Sequence, residues 1–371
     1  MKNDSSENKK ISLFIPSLRG GGAERMMVNL ANEFSRRGIA TDLVLAQKEG
    51  EYFSEVKEGV NIVDLRSKRI LFSLFPLFFY LRKARPDVLI ASMEHVAIIS
   101  ILAKFLSFSK TKIIVRVANT LSFSLQGTKW YKRPIRKYGA FVFYRLANQI
   151  VTNSEGSAQN LSKTLSIKRE RIKVIHNPAV TERMFESAKE AMGHPWLKDK
   201  EEPVIISAGR MHKQKDFETL IKAFASRRRK EPLKLIILGE GEERPKLQAL
   251  AEELGVLKSI NMPGFMENPY AYISRADLFV LPSRWEGLPS ALIEAMAFGL
   301  PVVSTDCPSG PREILKDGKY GELVPVGDHK AMADAIAKVL RERPDTKEAG
   351  EYVKKNFSAQ TIAGQYLELI R

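Results

Sequence analysis

Two glutamates, Glu286 and Glu294, stand in the stretch SRWEGLPSALIEAMAFGLPVVSTD with seven residues between them. ADLFVLPS ahead of them reads as a strand, Glu286-Gly287 as a turn, Pro289 as a suitable first helical residue, Gly299 as a stop and PVVSTD as the next parallel strand. The helix N-terminus then sits at the carboxyl edge of a sheet, where amide groups and the macrodipole favour a phosphate. A carboxylate beside a phosphate is repelled, so Glu294 is placed to accept hydrogen bonds from neutral hydroxyls, as on a ribose attached to that phosphate. Ser290, four residues earlier, shares its face. Glu286, outside the helix, would meet whatever lies beyond the phosphates. The pattern suits a nucleotide diphosphate carrying a hydroxyl-rich group. Spacing alone equally allows Glu294 as a solvated helix residue and Glu286 as part of a turn.

Cations for a diphosphate are expected from neighbouring strand ends. PVIISAG is followed by GRMHKQKDF, which places Arg210 after a glycine and Lys215 five residues later; the first offers a planar fork and the second a point charge. In the first half, Gly20-Gly21-Gly22 joins a strand to a helix, where backbone without side chains can approach an anion closely; a bare tight turn is the alternative. The loop is not GxGxxG, and no acidic residue follows where an NAD ribose would need one, which argues against a dehydrogenase.

The elements that must position these residues alternate throughout. ISLFIP reads as a strand, and Ala23, Met26, Met27, Leu30 and Phe34 recur at helical spacing up to Gly38. TDLVLA, PDVLIAS, KIIVRVA, NQIVTNS and RIKVIHNP continue the rhythm to about residue 180. A polar stretch over 181–202 reads as a linker. A second series over 203–355 runs through PVIISAG, LKLIILGEG, INMPGF, ADLFVLP and PVVSTD with helices between. The last segment, 356–371, reads as a helix that could pack back on the first domain. The expected class is α/β, with two Rossmann-like parallel-sheet domains (1–180 and 203–355) facing a central cleft, where ligands usually bind.

The single cysteine, Cys307, excludes an intramolecular disulfide and, without a cleavable leader, points to the cytoplasm. The polar first ten residues read as a disordered tail. Net charge is +16, and all of the excess lies in residues 1–185, with 31 bases against 15 acids; residues 186–371 hold 28 of each. Such a field attracts polyanions or an anionic membrane surface. No run reaches the roughly 18 apolar residues of a spanning helix. The stretch from Arg66 to Pro86, RSKRILFSLFPLFFYLRKARP, is apolar at its centre and basic at both ends, and Gly127 to Leu146 interleaves aromatics with cations. These suit a peripheral position on the inner face of a membrane, while a helix covering the sheet is the other reading of the first. A nucleic-acid-binding protein would use the same basic residues, but no RRM, KH or zinc pattern supports it.

Taken together, GGGAERMM, HNP, GRMHKQKDF, LGEGEERPKLQ and SRWEGLPSALIEAMAFGLPVVSTD resemble the retaining glycosyltransferases of family 4, which have the GT-B architecture. The resemblance runs over nearly the whole chain and is densest from Pro203 to Asp328. It places Glu286 near a donor sugar and Glu294 on the ribose. Arg210 and Lys215 fall on the donor diphosphate, with amides around Leu288 and Pro289 leading into Ser290 at the same phosphates. Gly21 and Gly22 match a glycine loop over donor and acceptor, and Gly264 and Phe265 mark the base pocket.

The resemblance implies transfer of a hexose or N-acetylhexosamine from a nucleotide diphosphate sugar, UDP foremost, with retention and without a cofactor or metal. The acceptor would be a polyprenyl-diphosphate-linked glycan. An epimerase of UDP-sugars or a phosphorylase of the same fold is the alternative. One departure stands out: Ala118 occupies the place of a histidine found in many members, whose role would pass to Asn119 or to His95.

Overall fold

The computed structural model of the chain describes residues 9–371 apart from 20, 119–121, 123–130 and 132. The first eight residues, Gly20, Asn119 and the early part of the aromatic basic stretch (127–130 and 132) therefore lie outside the described residues. The chain divides into two compact units, one of residues 1–178 together with 359–371 and the other of residues 179–358.

Short runs rich in Ile, Leu and Val form the strands; the central ones are buried on both faces, as expected of parallel strands, and the edge ones only in part. The first unit holds β1 (Lys10–Ile15), β2 (Ala40–Leu45), β3 (Val60–Asp64), β4 (Val88–Ser92), β5 (Lys112–Val117), β6 (Gln149–Thr152) and β7 (Ile172–Val174) in the order β3-β2-β1-β4-β5-β6-β7. The second holds β8 (Val204–Ala208), β9 (Lys234–Leu238), β10 (Ile260–Gly264), β11 (Leu278–Leu281), β12 (Val302–Thr305) and β13 (Glu322–Val324) in the order β10-β9-β8-β11-β12-β13. Pairing is parallel throughout both sheets. Each order reverses beside its first strand, between β1 and β4 and between β8 and β11. In open parallel sheets a crevice forms at the carboxyl ends of such a strand pair.

In the first unit the helices Gly22–Arg36 and Ala359–Ile370 cover the face carrying Ile11, Leu13 and Ile15. The helices Leu74–Ala84, Glu94–Ser107, Arg133–Leu146 and Glu155–Leu165 cover the face carrying Phe14, Leu89 and Val115. In the second unit the helices Phe217–Arg228, Arg244–Glu253 and His329–Glu342 pack on Ile205, Ile237 and Val280. Helices Ser290–Ala297 and Lys347–Asn356 pack on Ile206, Phe279 and Leu281.

The segment 181–202, expected as a linker, is folded and belongs to the second unit. Thr181 caps a helix over Glu182–Ala188 by accepting from the Met184 amide at 3.3 Å, and a short turn of helix spans Pro195–Lys198. Met184 and Leu197 are buried in that unit's core. Two anchors so far apart in a polar stretch leave no periodicity to read. The edge strands β3 and β13 likewise lack a continuous apolar run, since Asn61, Asp64 and Glu322 interrupt them.

Where the chain leaves and re-enters the first unit, a buried guanidinium lies between the two segments. Arg116 of β5 is fully buried; its Nη2 donates to Asn177 Oδ1, its Nη1 donates to Ser92 Oγ at 3.5 Å, and the Tyr366 hydroxyl lies beside it. Asn177 precedes the exit and Tyr366 sits in the returning helix. Arg116→Ala strands those polar groups around a void, and is expected to cost roughly 2–4 kcal/mol. Urea unfolding of the full chain measures it; an unshifted midpoint would mean the cluster contributes nothing.

Candidate functional site

The carboxyl-edge loops of the second sheet are laced together through their backbones. Gly239 donates to the Gly264 carbonyl at 2.8 Å, Gly209 to the Leu238 carbonyl at 2.9 Å and Met211 to the Glu240 carbonyl at 2.8 Å. Gly239 has φ +125, and a Cβ there would sit 2.1 Å from the Gly209 carbonyl oxygen. Only glycine permits this approach. The ends of β10, β9 and β8 are thereby drawn into one surface that carries Gly264, Phe265 and Arg210.

Lys215 follows β8 and Glu286 follows β11, so the reversal between these strands brings them into contact. Lys215 Nζ lies 2.7 Å from Glu286 Oε1. The lysine stem passes over Gly209, where a Cβ would meet Cε at 2.8 Å. Ser283 Oγ donates to the same carboxylate oxygen at 2.6 Å, and Gln214 Nε2 donates to the Trp285 carbonyl at 2.9 Å. Arg284 Nε pairs with Asp216 Oδ2 at 3.1 Å, a second tie between the same two loops. Arg210 is exposed, and no ion pair engages it among the described residues. A charged ligand at this edge would therefore meet one exposed guanidinium and one lysine already held by its counterion.

Cys307, behind Glu286, is no nucleophile. Burial, with the Glu286 carboxylate close by, pushes its thiol up to about 12, so it stays protonated at neutral pH.

The helix Ser290–Ala297 shows that Glu294 is not a solvated helix residue. Leu292, Ile293, Ala295, Met296 and Ala297 are all buried, so the helix is packed on nearly every side. Glu294 is 6 % exposed and Glu286 also 6 %. Neither acid is a solvated surface residue, and burying a carboxylate is costly without compensating partners. The helix begins at Ser290, one residue later than expected, with Pro289 as its cap residue in extended conformation and no side chain capping it. Leu288 is buried under this entry. Gly310 lies against it from the next loop; its φ is +94, and a Cβ would come within 2.6 Å of Pro289 Cδ.

Gly21, Gly22 and His95 occupy the corresponding edge of the first sheet, at the reversal between β1 and β4. Gly21 is the cap residue of the helix Gly22–Arg36 with φ −125, which any residue could adopt, and a Cβ at Gly22 would meet nothing within 4 Å. The Gly21 amide donates to the Arg19 carbonyl at 2.7 Å, closing a turn, and a Cβ at Gly21 would come within 2.3 Å of Glu24 Oε2. His95 is exposed in the first turn of the helix Glu94–Ser107, after Met93, whose φ is +86. Ala118 directly follows β5, and its carbonyl accepts from Asn153 Nδ2 at 2.8 Å.

Ser283, Gln214 and Gly209 were not singled out from sequence. Their only signal is position: Gly209 and Gln214 directly precede Arg210 and Lys215, and Ser283 lies between the end of β11 and Glu286.

Comparison with known proteins matches both units. Residues 20–183 fit the family model described as Glycosyltransferase Family 4, and residues 188–356 the model described as Glycosyl transferases group 1. The chain is 29 % identical over 373 residues to the N-acetylgalactosamine-N,N'-diacetylbacillosaminyl-diphospho-undecaprenol 4-alpha-N-acetylgalactosaminyltransferase of Campylobacter jejuni, covering 98 % of this chain and 99 % of that one. It is 30 % identical over 361 residues to the lipopolysaccharide core biosynthesis glycosyltransferase LpsE of Rhizobium meliloti, covering 95 % and 96 %. Among solved structures, Anabaena HepE in complex with UDP-glucose superposes with a TM-score of 0.81 at 20 % identity, covering 97 % of this chain and 99 % of that one.

Proposed function

This chain belongs to glycosyltransferase family 4 and has the GT-B fold, and from that premise we propose that it moves a hexose or N-acetylhexosamine from a UDP-sugar to a polyprenyl-diphosphate-linked glycan, with retention at the anomeric carbon. The observation that carries this reading is the Lys215–Glu286 pair, held beside the N-terminus of the helix Ser290–Ala297. Support for the substrate classes comes from the Campylobacter relative, whose name includes a diphospho-undecaprenol, and from HepE, described with UDP-glucose.

In this reading Arg210, Lys215 and the amides that follow Leu288 and Pro289, with the Ser290 hydroxyl, hold the donor diphosphate. They supply the positive charge that a divalent metal supplies in other transferases. Glu294 accepts from the ribose hydroxyls, and the base lies at Gly264 and Phe265. Glu286 orients the sugar hydroxyls, giving up part of its bond to Lys215 as the diphosphate claims that lysine. Gly21 and Gly22 let backbone approach the ligands, and His95 takes the place left by Ala118. As the bond from anomeric carbon to diphosphate oxygen breaks, the acceptor hydroxyl attacks from the same face. Its proton passes to the departing diphosphate, so no side chain serves as nucleophile.

Titration calorimetry of the full chain against UDP, GDP, ADP and a panel of UDP-sugars tests the reading. UDP and at least one UDP-sugar are expected to bind equally well with and without EDTA. Loss of binding in EDTA would overturn metal independence. Silence across the panel would overturn the donor assignment.

A further inference from the structure

The helix Leu74–Ala84 is apolar nearly all round, yet only one of its faces is covered. Leu77 and Leu81 are buried in the core, and Tyr80 OH donates to Asp42 Oδ2 at 2.5 Å while sharing a hydrogen bond with Ser12 Oγ at 2.6 Å. Asp42 is held in turn by Lys10 at 2.8 Å and by Asn61 at 2.9 Å. This polar cluster fixes the helix's rotation, so the face it leaves outward is not a slip of register. On that face and the turn before it, Phe72 is 63 % exposed, Phe75 66 % and Phe79 65 %. The neighbouring helix Glu94–Ser107 ends in exposed Phe105 and Leu106, followed by Phe108 at 91 %.

Large exposed apolar side chains gathered on two helices that pack together mark a binding face. Its surroundings select the partner. Residues 66–85 carry six bases and no acid, among them the exposed Lys68, Arg69, Arg82 and Lys83. A second copy docking through this face would set like charges against each other. An anionic lipid surface supplies an apolar layer for the rings and negative headgroups for the collar around them. Among the described residues no helix is long and apolar enough to cross a membrane, so the contact is with one leaflet only. The turn Ile70–Ser73 enters this helix from the carboxyl end of β3. That is the edge of the first sheet which also bears Gly21, Gly22 and His95.

We infer that Phe72, Phe75 and Phe79, with Phe105, Leu106 and Phe108, insert into the headgroup layer of an anionic membrane while Lys68, Arg69, Arg82 and Lys83 bind its headgroups. The inference rests on the lipid-linked acceptor reading, to which it adds the docking surface. The test is co-sedimentation of the full chain with phosphatidylcholine vesicles, with and without about 30 % phosphatidylglycerol. The wild-type chain is expected to sediment with the anionic vesicles. The triple variant F72S/F75S/F79S is expected to partition at least about tenfold less. K68Q/R69Q/R82Q/K83Q is expected to lose the preference for phosphatidylglycerol. These positions are exposed, so thermal melting and calorimetric UDP affinity are expected to be unchanged in both variants.

Failure of the wild-type chain to sediment, or wild-type sedimentation of the triple variant, would overturn the docking face. So would a dimer that the triple variant dissociates without any vesicle binding. Each of these results leaves UDP binding intact, whereas failure of the donor reading shows as lost UDP binding with vesicle binding retained.

Discussion

Lys215→Ala is expected to lower kcat/KM by about 10²–10³-fold and to destabilise the second unit by roughly 3 kcal/mol. The two effects have different causes. Turnover falls because a positive charge aimed at the departing diphosphate is gone. Stability falls because Glu286, 6 % exposed and 2.7 Å from Lys215 Nζ, is left buried without its counterion. A second substitution separates them. In K215A/E286Q the neutral amide keeps the hydrogen bond from Ser283 Oγ, and no buried charge remains. Urea unfolding is expected to return most of the way to the wild-type midpoint, while initial rates stay at the level of the single variant or below it. Recovery of turnover together with stability would reduce Lys215 to a structural counterion.

Glu294→Ala is expected to weaken UDP binding by about 10–100-fold, the value of one or two hydrogen bonds to a charged acceptor. The effect is specific to the ribose. Wild-type chain should bind 2′-deoxy-UDP less tightly than UDP, and in the variant that difference should disappear. Calorimetry with both nucleotides on both proteins makes the comparison independent of any small change in folding. The same affinity for UDP in variant and wild type would overturn the ribose assignment.

The central strands of both sheets are legible in the sequence because parallel strands buried on both faces must be continuously apolar, and LKLIIL or ADLFVL can be little else. The helix before β12 is equally plain, from Pro289 to Gly299. What spacing cannot reveal is the environment of Glu286 and Glu294. Their burial depends on Leu292, Ile293 and Ala295 being packed on opposite sides of one short helix. That in turn depends on the helix Lys347–Asn356, which follows 50 residues later. The Lys215–Glu286 contact is hidden for a related reason. The two residues are 71 apart, and they meet because β11 pairs with β8 rather than with β10. The edge strands and the folded segment 181–202 are obscured by their own polar residues. Their pairing and packing partners, not their composition, make them order.

The helix Ala359–Ile370 belongs to the first unit although the whole second unit precedes it in the chain. During translation, residues 9–178 leave the ribosome with the surface around Met27, Leu30 and Phe34 still lacking the cover that Ile362, Ala363 and Tyr366 provide. Maturation of the first unit must wait for the helix Ala359–Ile370, which is made after the whole second unit. A released chain that ends before Ala359 should therefore hold a finished second unit and an unfinished first one, the reverse of their order of synthesis.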